Sequence, residues 1–403
     1  MLRQFLPVGQ GAFYRESFSC GDAEAVHVVY DCGSSTDIGL LKRCIRRCFE
    51  RGQSIQAVFL SHFHEDHVNG LEYLLKHCRV EHIFFPLLIG EDKELTLLQH
   101  LTSSALAKEN DFWVRFARDP RAALDRLDLD YRPRLHPVRP VDDGDEENTP
   151  YSAADDFLRP IIIDSGRDVS DIIFGHIADT YRDQAIEHWR YIPCHFREKD
   201  RREKLKEVLK SRLGTGNPKK LLDMLKANPL YRSDIRKAYK EVRGDLNTNS
   251  MTLFSGTKHP HFWQGMRGWQ CPFERFMDAP QVCGCADYLL KPGALYMGDY
   301  DAKGPWKWEA LQKAYQEYFP YIGCLQLPHH GSRHSFNLEL LGIKSCDLYI
   351  ASAGLDNPFR HPHGDVVKRV LLSGKQPLIV TEQSDSMVEL SVAPLAYPLC
   401  RKS

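Results

Sequence analysis

Leu60-Ser61-His62-Phe63-His64-Glu65-Asp66-His67-Val68-Asn69-Gly70 is the stretch on which the reading of this chain turns. It follows an apolar run, Ala57-Val58-Phe59-Leu60, of the kind that forms a buried strand. It then sets three imidazoles and a carboxylate in the order His-x-His-x-Asp-His. That ligand mixture suits zinc, manganese or iron better than calcium or magnesium. On a loop leaving a strand, His62 and His64 can turn to one side and hold one ion. Asp66 and His67 can reach a second ion beside it. Two ions about 3.5–4 Å apart share a water, lower its pKa and clamp a displacement at phosphorus or carbon. The spacing favours a metal site over a polar surface loop.

The bulk composition bounds the rest. At 403 residues the chain can bury a large core, as one large domain or two to three ordinary ones. A net charge of −1 says nothing about partners. The 12 cysteines form no ladder of Cys-x-x-Cys pairs, and no secretory signal precedes them. They read as reduced, mostly buried thiols of a cytoplasmic protein, and Cys283-Gly-Cys285 as a loop with two ordinary thiols. No run of 18 apolar residues occurs, so neither export nor membrane spanning is expected.

Along the chain, residues 1–90 alternate strand and helix. Glu24 to Tyr30 alternates like a strand and ends in the polar turn Asp31-Cys32-Gly33-Ser34-Ser35. Ile38 to Arg51 is an amphipathic helix, Leu71 to His77 a second helix, and Ile83-Phe84-Phe85 a further strand. From 91 to 245 the character changes. Leu95 to Arg118 reads as mostly helical, and Asp142 to Glu147 as a solvated acidic loop. Arg197 to Arg243 holds sixteen basic against seven acidic residues, with leucines at helical spacing. Gly214-Thr-Gly-Asn-Pro218 divides it into two helices. It is either a solvated helical insertion packed on a core or a basic surface steering a polyanion towards the site. From 246 the alternation resumes, with strands at Ser250–Phe254, Ala294–Met297, Gly323–Leu327, Leu348–Ser352, Pro377–Val380 and Met387–Val392. Helices are expected at Trp306–Tyr318 and Asp365–Leu372.

The second half places polar clusters at successive strand ends: Asn247-Thr-Asn249-Ser250, Gly298-Asp299, Pro328-His329-His330-Gly331-Ser332 and His361-Pro362-His363. In αβ sheets, sites collect there. The ordered set resembles the metallo-β-lactamase fold, and within it the hydrolase domain of ComEC-type DNA-uptake proteins. Val8-Gly9-Gln10-Gly11, Tyr30-Asp31-Cys32-Gly33, the Leu60–Gly70 loop, Asn247–Leu253, Gly298-Asp299, Leu327–Ser332 and Ser352–His363 carry it. Coverage is roughly residues 1–90 and 246–395.

That resemblance implies an α/β fold, a four-layer αββα sandwich spanning 1–403 as one domain, with 91–245 as a charged, largely helical insertion. His62 and His64 would bind the first ion, and Asp66 and His67 the second. Asp299 would bridge both, and His330 would be the outer ligand of the second ion, with His329 an alternative. Two divalent ions are implied, zinc or manganese, one held more loosely. Asp66, Asp299 and His361 would be catalytic, His361 as a phosphate contact or leaving-group acid. His329, His363, Asn249 and Ser250 would contact substrate or support the ligands. Many relatives supply a third histidine to the first ion where this chain has Asn-Thr-Asn-Ser, so a loosely held first ion, or a single-metal resting state, is the expectation.

The expected reaction is hydrolysis of phosphodiesters in DNA or RNA by a metal-bound hydroxide, without base specificity. Small-molecule phosphodiesters, esters, thioesters or lactones are alternative substrates. A redox di-iron protein is disfavoured by His64, where such relatives carry Glu. A third class is a metal-stabilised binding or toxin-like module in a multi-protein defence system. DNA uptake does not carry over, because the chain has no transmembrane channel.

Overall fold

The computed structural model describes residues 1–20, 23–103, 110–141, 161–175, 188–197, 199–242, 250–257, 263–267, 290–304 and 306–394. The expected acidic loop at 142–147, Cys283-Gly-Cys285 and Asn249 lie outside them.

The chain opens with β1 (Leu2–Phe5), β2 (Gly11–Cys20) and β3 (Ala23–Ser34), an antiparallel set. Period-two alternation in β3 sends Val26, Val28 and Tyr30 to one face and Val29 to the other, a bulge at Asp31 turns Cys32 to the face of Val29, and both sets are buried. A strand covered on both faces is a central strand, and α1 (Ile38–Cys48) supplies one cover. Asp37 caps it by accepting from the Gly39 amide, and Leu41, Cys44 and Ile45 form its buried stripe. β4 (Ser54–Phe59) then runs parallel to β3 and leads into the histidine loop, α2 (Glu65–Val68) and α3 (Leu71–His77). β5 (Arg79–Pro86) lies parallel to β4.

The 91–245 segment departs from the expected helical insertion. Its helices α4 (Asp92–Ser103), α5 (Phe112–Arg118) and α6 (Pro120–Asp125) are followed by β6 (Arg134–Val141) and β7 (Ile163–Asp164), which extend the first sheet. After α7 (Ser170–Phe174), β8 (Trp189–Phe196) opens the second sheet. Pro137, Pro140 and Pro193 hid these strands, because proline removes a ladder donor and argues against a central strand. They are tolerated at the seam, where β6 and β8 pair through only Pro140↔His195 and Val141↔Phe196. The basic stretch forms three helices rather than two: α8 (Lys199–Leu213), α9 (Pro218–Ala227) and α10 (Tyr231–Glu241). The additional break falls at Asn228-Pro229, since the residue before proline avoids helical backbone.

The second sheet continues with β9 (Thr252–Thr257), while β10 (Trp263–Arg267) pairs at the far edge of the first. β11 (Gly293–Tyr296), α11 (Lys307–Tyr315), β12 (Ile322–Gln326), β13 (Leu348–Ser352), α12 (Gly364–Leu372) and β14 (Gln376–Val380) complete the second sheet and its helices. β15 (Val388–Pro394) returns to pair β1 and β10. Phe5, Tyr14, Phe59, Leu253, Tyr296 and Ile350 meet between the sheets. Helices α1, α3, α4 and α8–α10 cover the outer face of the first sheet, and α11 and α12 that of the second. The layers therefore run helix, sheet, sheet, helix, as expected.

Several cations of the insertion are met by its own carboxylates. Arg197 Nε lies 2.8 Å from Asp92, Lys206 Nζ 2.7 Å from Glu91, and Arg202 and Lys219 approach Asp92 and Glu94. Leu205, Leu209, Leu221, Leu225 and Ile235 face the core. The insertion is thus a packed helical layer first.

Burial away from the histidine loop also sets the acid limit of the fold. Burial pulls His27 down to about 4, and His136 and His195 down to about 3. The unfolded chain takes up protons at these positions below about pH 6.5, while the folded one does not. Stability is therefore complete above about pH 6.5 and falls with pH towards 4, by about 1.4 kcal/mol per pH unit for each group. Urea unfolding of metal-stripped protein at pH 7.5 and 5.5 should show this loss, reduced by about 1.4 kcal/mol in His195→Gln. An equal loss in the variant would exclude His195 as a source.

Candidate metal centre

Three strand ends, one from the first half of the chain and two from the second, make the site. The first is the loop after β4. Its backbone is held by Asp31, whose carboxylate accepts from the Ser61 amide (2.7 Å), the Ser61 hydroxyl (2.7 Å) and His67 Nδ1 (2.7 Å). Asp31 is fully buried at a left-handed φ of 55°, a strain of about 1–3 kcal/mol that surrounding contacts must over-determine. Gly33 lets α2 sit against the Asp31 turn, since a Cβ there would lie 2.4 Å from the His67 nitrogen.

The second is the Gly298-Asp299 turn after β11. Gly298 takes φ 52°, and a Cβ there would lie 2.5 Å from Ser61 Cβ, so only glycine permits this approach. Gln326 fixes the turn. Its Oε1 accepts from the Met297 and Gly298 amides, both at 2.7 Å. Ser250 Oγ accepts from the Asp299 amide at 3.0 Å and lies 3.2 Å from His62 Nδ1. After β12, His329 and His330 are consecutive left-handed residues, at φ 50° and 56°.

The ligand-type atoms converge on the two oxygens of Asp299. Oδ1 lies 3.3 Å from His67 Nε2 and 3.7 Å from His330 Nε2. Oδ2 lies 3.7 Å from His62 Nε2 and 3.6 Å from His329 Nε2. Asp66 Oδ2 is 3.2 Å from His330 Nε2 and 4.0 Å from His67 Nε2, while Oδ1 is 3.2 Å from His64 Nδ1. Most of these separations exceed a normal hydrogen bond. They approach the edge of a tetrahedron with metal–ligand bonds of about 2.0–2.1 Å, which is about 3.4 Å. His62, His67 and Asp299 form one group able to hold an ion, and Asp66, His67 and His330 another.

Unsatisfied atoms test the fit. His62 Nε2, His67 Nε2 and Asp299 Oδ1 are buried with no hydrogen-bond partner among the described residues. Such groups are costly unless something binds them. The opposite ring nitrogens are engaged: His62 Nδ1 with Ser61 Oγ at 2.9 Å, His67 Nδ1 with Asp31, and His330 Nδ1 with the Ser352 carbonyl at 2.7 Å. This arrangement presents each Nε2 lone pair inward, as metal-binding histidines require. Burial works against charge on Asp66 and Asp299, yet the neighbouring imidazoles hold both carboxyls well below the usual range. Burial likewise opposes charge on His67, but Asp299, Asp31 and Asp66 raise its proton affinity well above normal. The carboxylates call for a cation, and a divalent ion fits these residues.

The remaining expected residues divide. His361 lies over the cluster, its ring 5.5 Å from His329 and 6.2 Å from His330. Burial, with His330 and His329 beside it, pulls it down to about 3, so it is a neutral imidazole near pH 7. Ser250 supports His62. His363 caps α12, its Nδ1 accepting from the Asp365 amide, which explains its placement without substrate. Asp31, Gln326 and His100 were missed. Asp31 had a signal in Tyr30-Asp31-Cys32-Gly33. His100, in α4, had none; its ring stacks 5.8 Å from that of His64.

Residues 23–146 match the profile of the Metallo-beta-lactamase superfamily. No curated protein sequence matches the chain. Among solved structures, human tRNase Z, short form, matches with a TM-score of 0.36 and 11% identity over 94% of this chain and 92% of that chain. With the four layers and the strand-end cluster, the fold is that of the metallo-β-lactamases, which supports a metal-dependent hydrolase. Among the described residues, no helix is long and apolar enough to cross a membrane. The ComEC-type likeness has no support beyond the sequence motifs.

Asp31→Asn removes the charge that orients His67. Zinc affinity should fall about 10–100-fold. Titration against a competing chelator measures this, and unchanged affinity would remove Asp31 from that role.

Proposed function

We propose that the protein is a metal-dependent phosphodiesterase acting on nucleic acid, DNA or RNA, without base specificity. The single observation that carries the phosphodiester reading is the cationic rim on the loops bearing the cluster. Lys303 follows Asp299, Arg333 follows His330 and Arg360 precedes His361, and all three side chains are exposed. A polyanion brought to this rim presents its phosphate above Asp299. Zinc or manganese, once bound, would lower the pKa of a water and polarise the phosphoryl oxygens.

The chain's own groups do the rest. His62, His64, Asp66, His67, Asp299 and His330 would hold the two ions. Asp31, Ser61 and the Ser352 carbonyl keep the imidazoles in one tautomer, so no reorganisation is needed as charge develops. His361, neutral and with Nδ1 buried and without a partner among the described residues, offers a hydrogen bond to a substrate oxygen. Its burial makes it a weak candidate for a charged acid. A small phosphodiester or ester remains the second reading. It is favoured by the ion pairs of Arg197, Lys206 and Lys219, which draw part of the insertion's positive charge to its own carboxylates.

Metal-stripped protein, supplied with manganese or zinc, should cleave single- or double-stranded DNA or RNA. Asp299→Asn and His64→Ala should each lose at least about 100-fold, since each removes a group that holds an ion. Arg333→Ala and Arg360→Ala should retain cleavage of a small diester. Each should flatten the salt dependence of polymer binding by about one unit of slope. No polymer cleavage by protein holding two ions would overturn the nucleic-acid reading and leave the small-substrate one.

A further inference from the structure

The first ion is short of a donor. His62 Nε2 and Asp299 Oδ2 face each other from two loops at 3.7 Å, His64 Nδ1 lies beside Asp66 Oδ1 at 3.2 Å, and the block Asn-Thr-Asn-Ser offers no imidazole. Ser250, the member of that block within the described residues, is already engaged beneath His62 and the Asp299 amide. A different side chain stands at this oxygen. His329 Nε2 lies 3.6 Å from Asp299 Oδ2, matching the 3.7 Å of His62 Nε2 from the same atom.

We propose that His329 is the missing imidazole ligand of the first ion, so that the His329-His330 pair supplies one ligand to each of two divalent cations.

Three observations carry this. First, the pair splits the bridging carboxylate: His330 faces Oδ1 at 3.7 Å, and His329 faces Oδ2. Consecutive side chains reach opposite oxygens only because both residues are left-handed, a backbone state that histidine adopts rarely. Second, His329 Nδ1 lies 3.4 Å from Ser335 Oγ. That contact leaves Nε2 to face inward, the orientation that His62, His67 and His330 share. Third, the separation from Oδ2 is too long for a hydrogen bond and close to the ligand–ligand edge of a tetrahedral site. His329 is 29% exposed, so the first ion would sit at the open side of the site, where substrate arrives.

The proposal rests on the reading of this site as a two-ion centre, not on what it hydrolyses. The experiment therefore counts ions. Metal-stripped full-length protein is titrated with cobalt(II), followed by its visible absorption, and bound metal is measured by mass spectrometry. Wild type should take two ions. His329→Asn, which keeps the left-handed backbone accessible, should retain one tight ion and bind the other at least tenfold more weakly. Half of the four-coordinate absorption should be lost. His330→Asn should lose the other ion, and Ser335→Ala should give a smaller weakening of the first. Unfolding midpoints of the metal-free variants near that of wild type would show that they fold. Two ions bound by His329→Asn with wild-type affinity and spectrum would overturn the proposal and make His329 a substrate contact. A wild type that binds two ions but cleaves nothing would count against the proposed function alone.

Discussion

A buried ion pair holds the two sheets in register. Glu16, on β2, accepts from Arg3 Nε at 2.7 Å, Tyr191 OH at 2.6 Å, Ser255 Oγ at 2.6 Å and Tyr296 OH at 2.8 Å. Arg3 also donates to the carbonyls of Pro292 and Ser255. Glu16 and Arg3 belong to the first sheet, and Tyr191, Ser255 and Tyr296 to the second. Burial alone would neutralise Glu16, yet Arg3 and the hydroxyl donors hold its carboxyl below the usual range. Removing one partner would leave a charge in the core, at about 3–5 kcal/mol. Apolar contact between the sheets is non-directional, so it cannot fix how one slides over the other. A carboxylate with four donors can.

That register matters because the candidate centre is shared between the sheets. His62, Asp66 and His67 leave the end of β4, while Asp299 and the His329-His330 pair leave the ends of β11 and β12. A shift of 1 Å between sheets would spoil separations of 3.2–3.7 Å. The close approach of Gly298 to Ser61 locks the two loops together, Gly33 seats α2 on the Asp31 turn, and Asp31 and Gln326 fix the turns. The strain stored at Asp31, His329 and His330 is sustained by this frame.

The inserted segment belongs to the same frame. Through β6 and β8 it joins the two sheets, and through α4 it sets His100 on His64. Some of its cations, Arg197, Lys206 and Lys219 among them, turn to its own carboxylates.

Much was legible in the sequence because it is local. The His-x-His-x-Asp-His spacing states its chemistry within two turns of chain, and the period-two alternation of β3 and the leucines of α3 reflect contacts that every neighbour along the chain repeats. Leu71–His77 and Leu348–Ser352 were readable to the residue for that reason. Strand-end placement of Asp299 and the His329-His330 pair was readable too, since an apolar run stops before each. Other features depend on partners far apart in the chain. Pro140 and Pro193 argue against strands until the seam between sheets shows where a missing donor is tolerated. Which Asp299 oxygen faces which imidazole, the capping role of His363, and the orienting roles of Asp31 and Gln326 exist only once distant loops meet. Residue type and spacing determined that this chain can bind metal. Packing between sheets decided how the ligands divide, because that geometry is set by contacts across more than two hundred residues of chain, such as the 264 between Asp66 and His330.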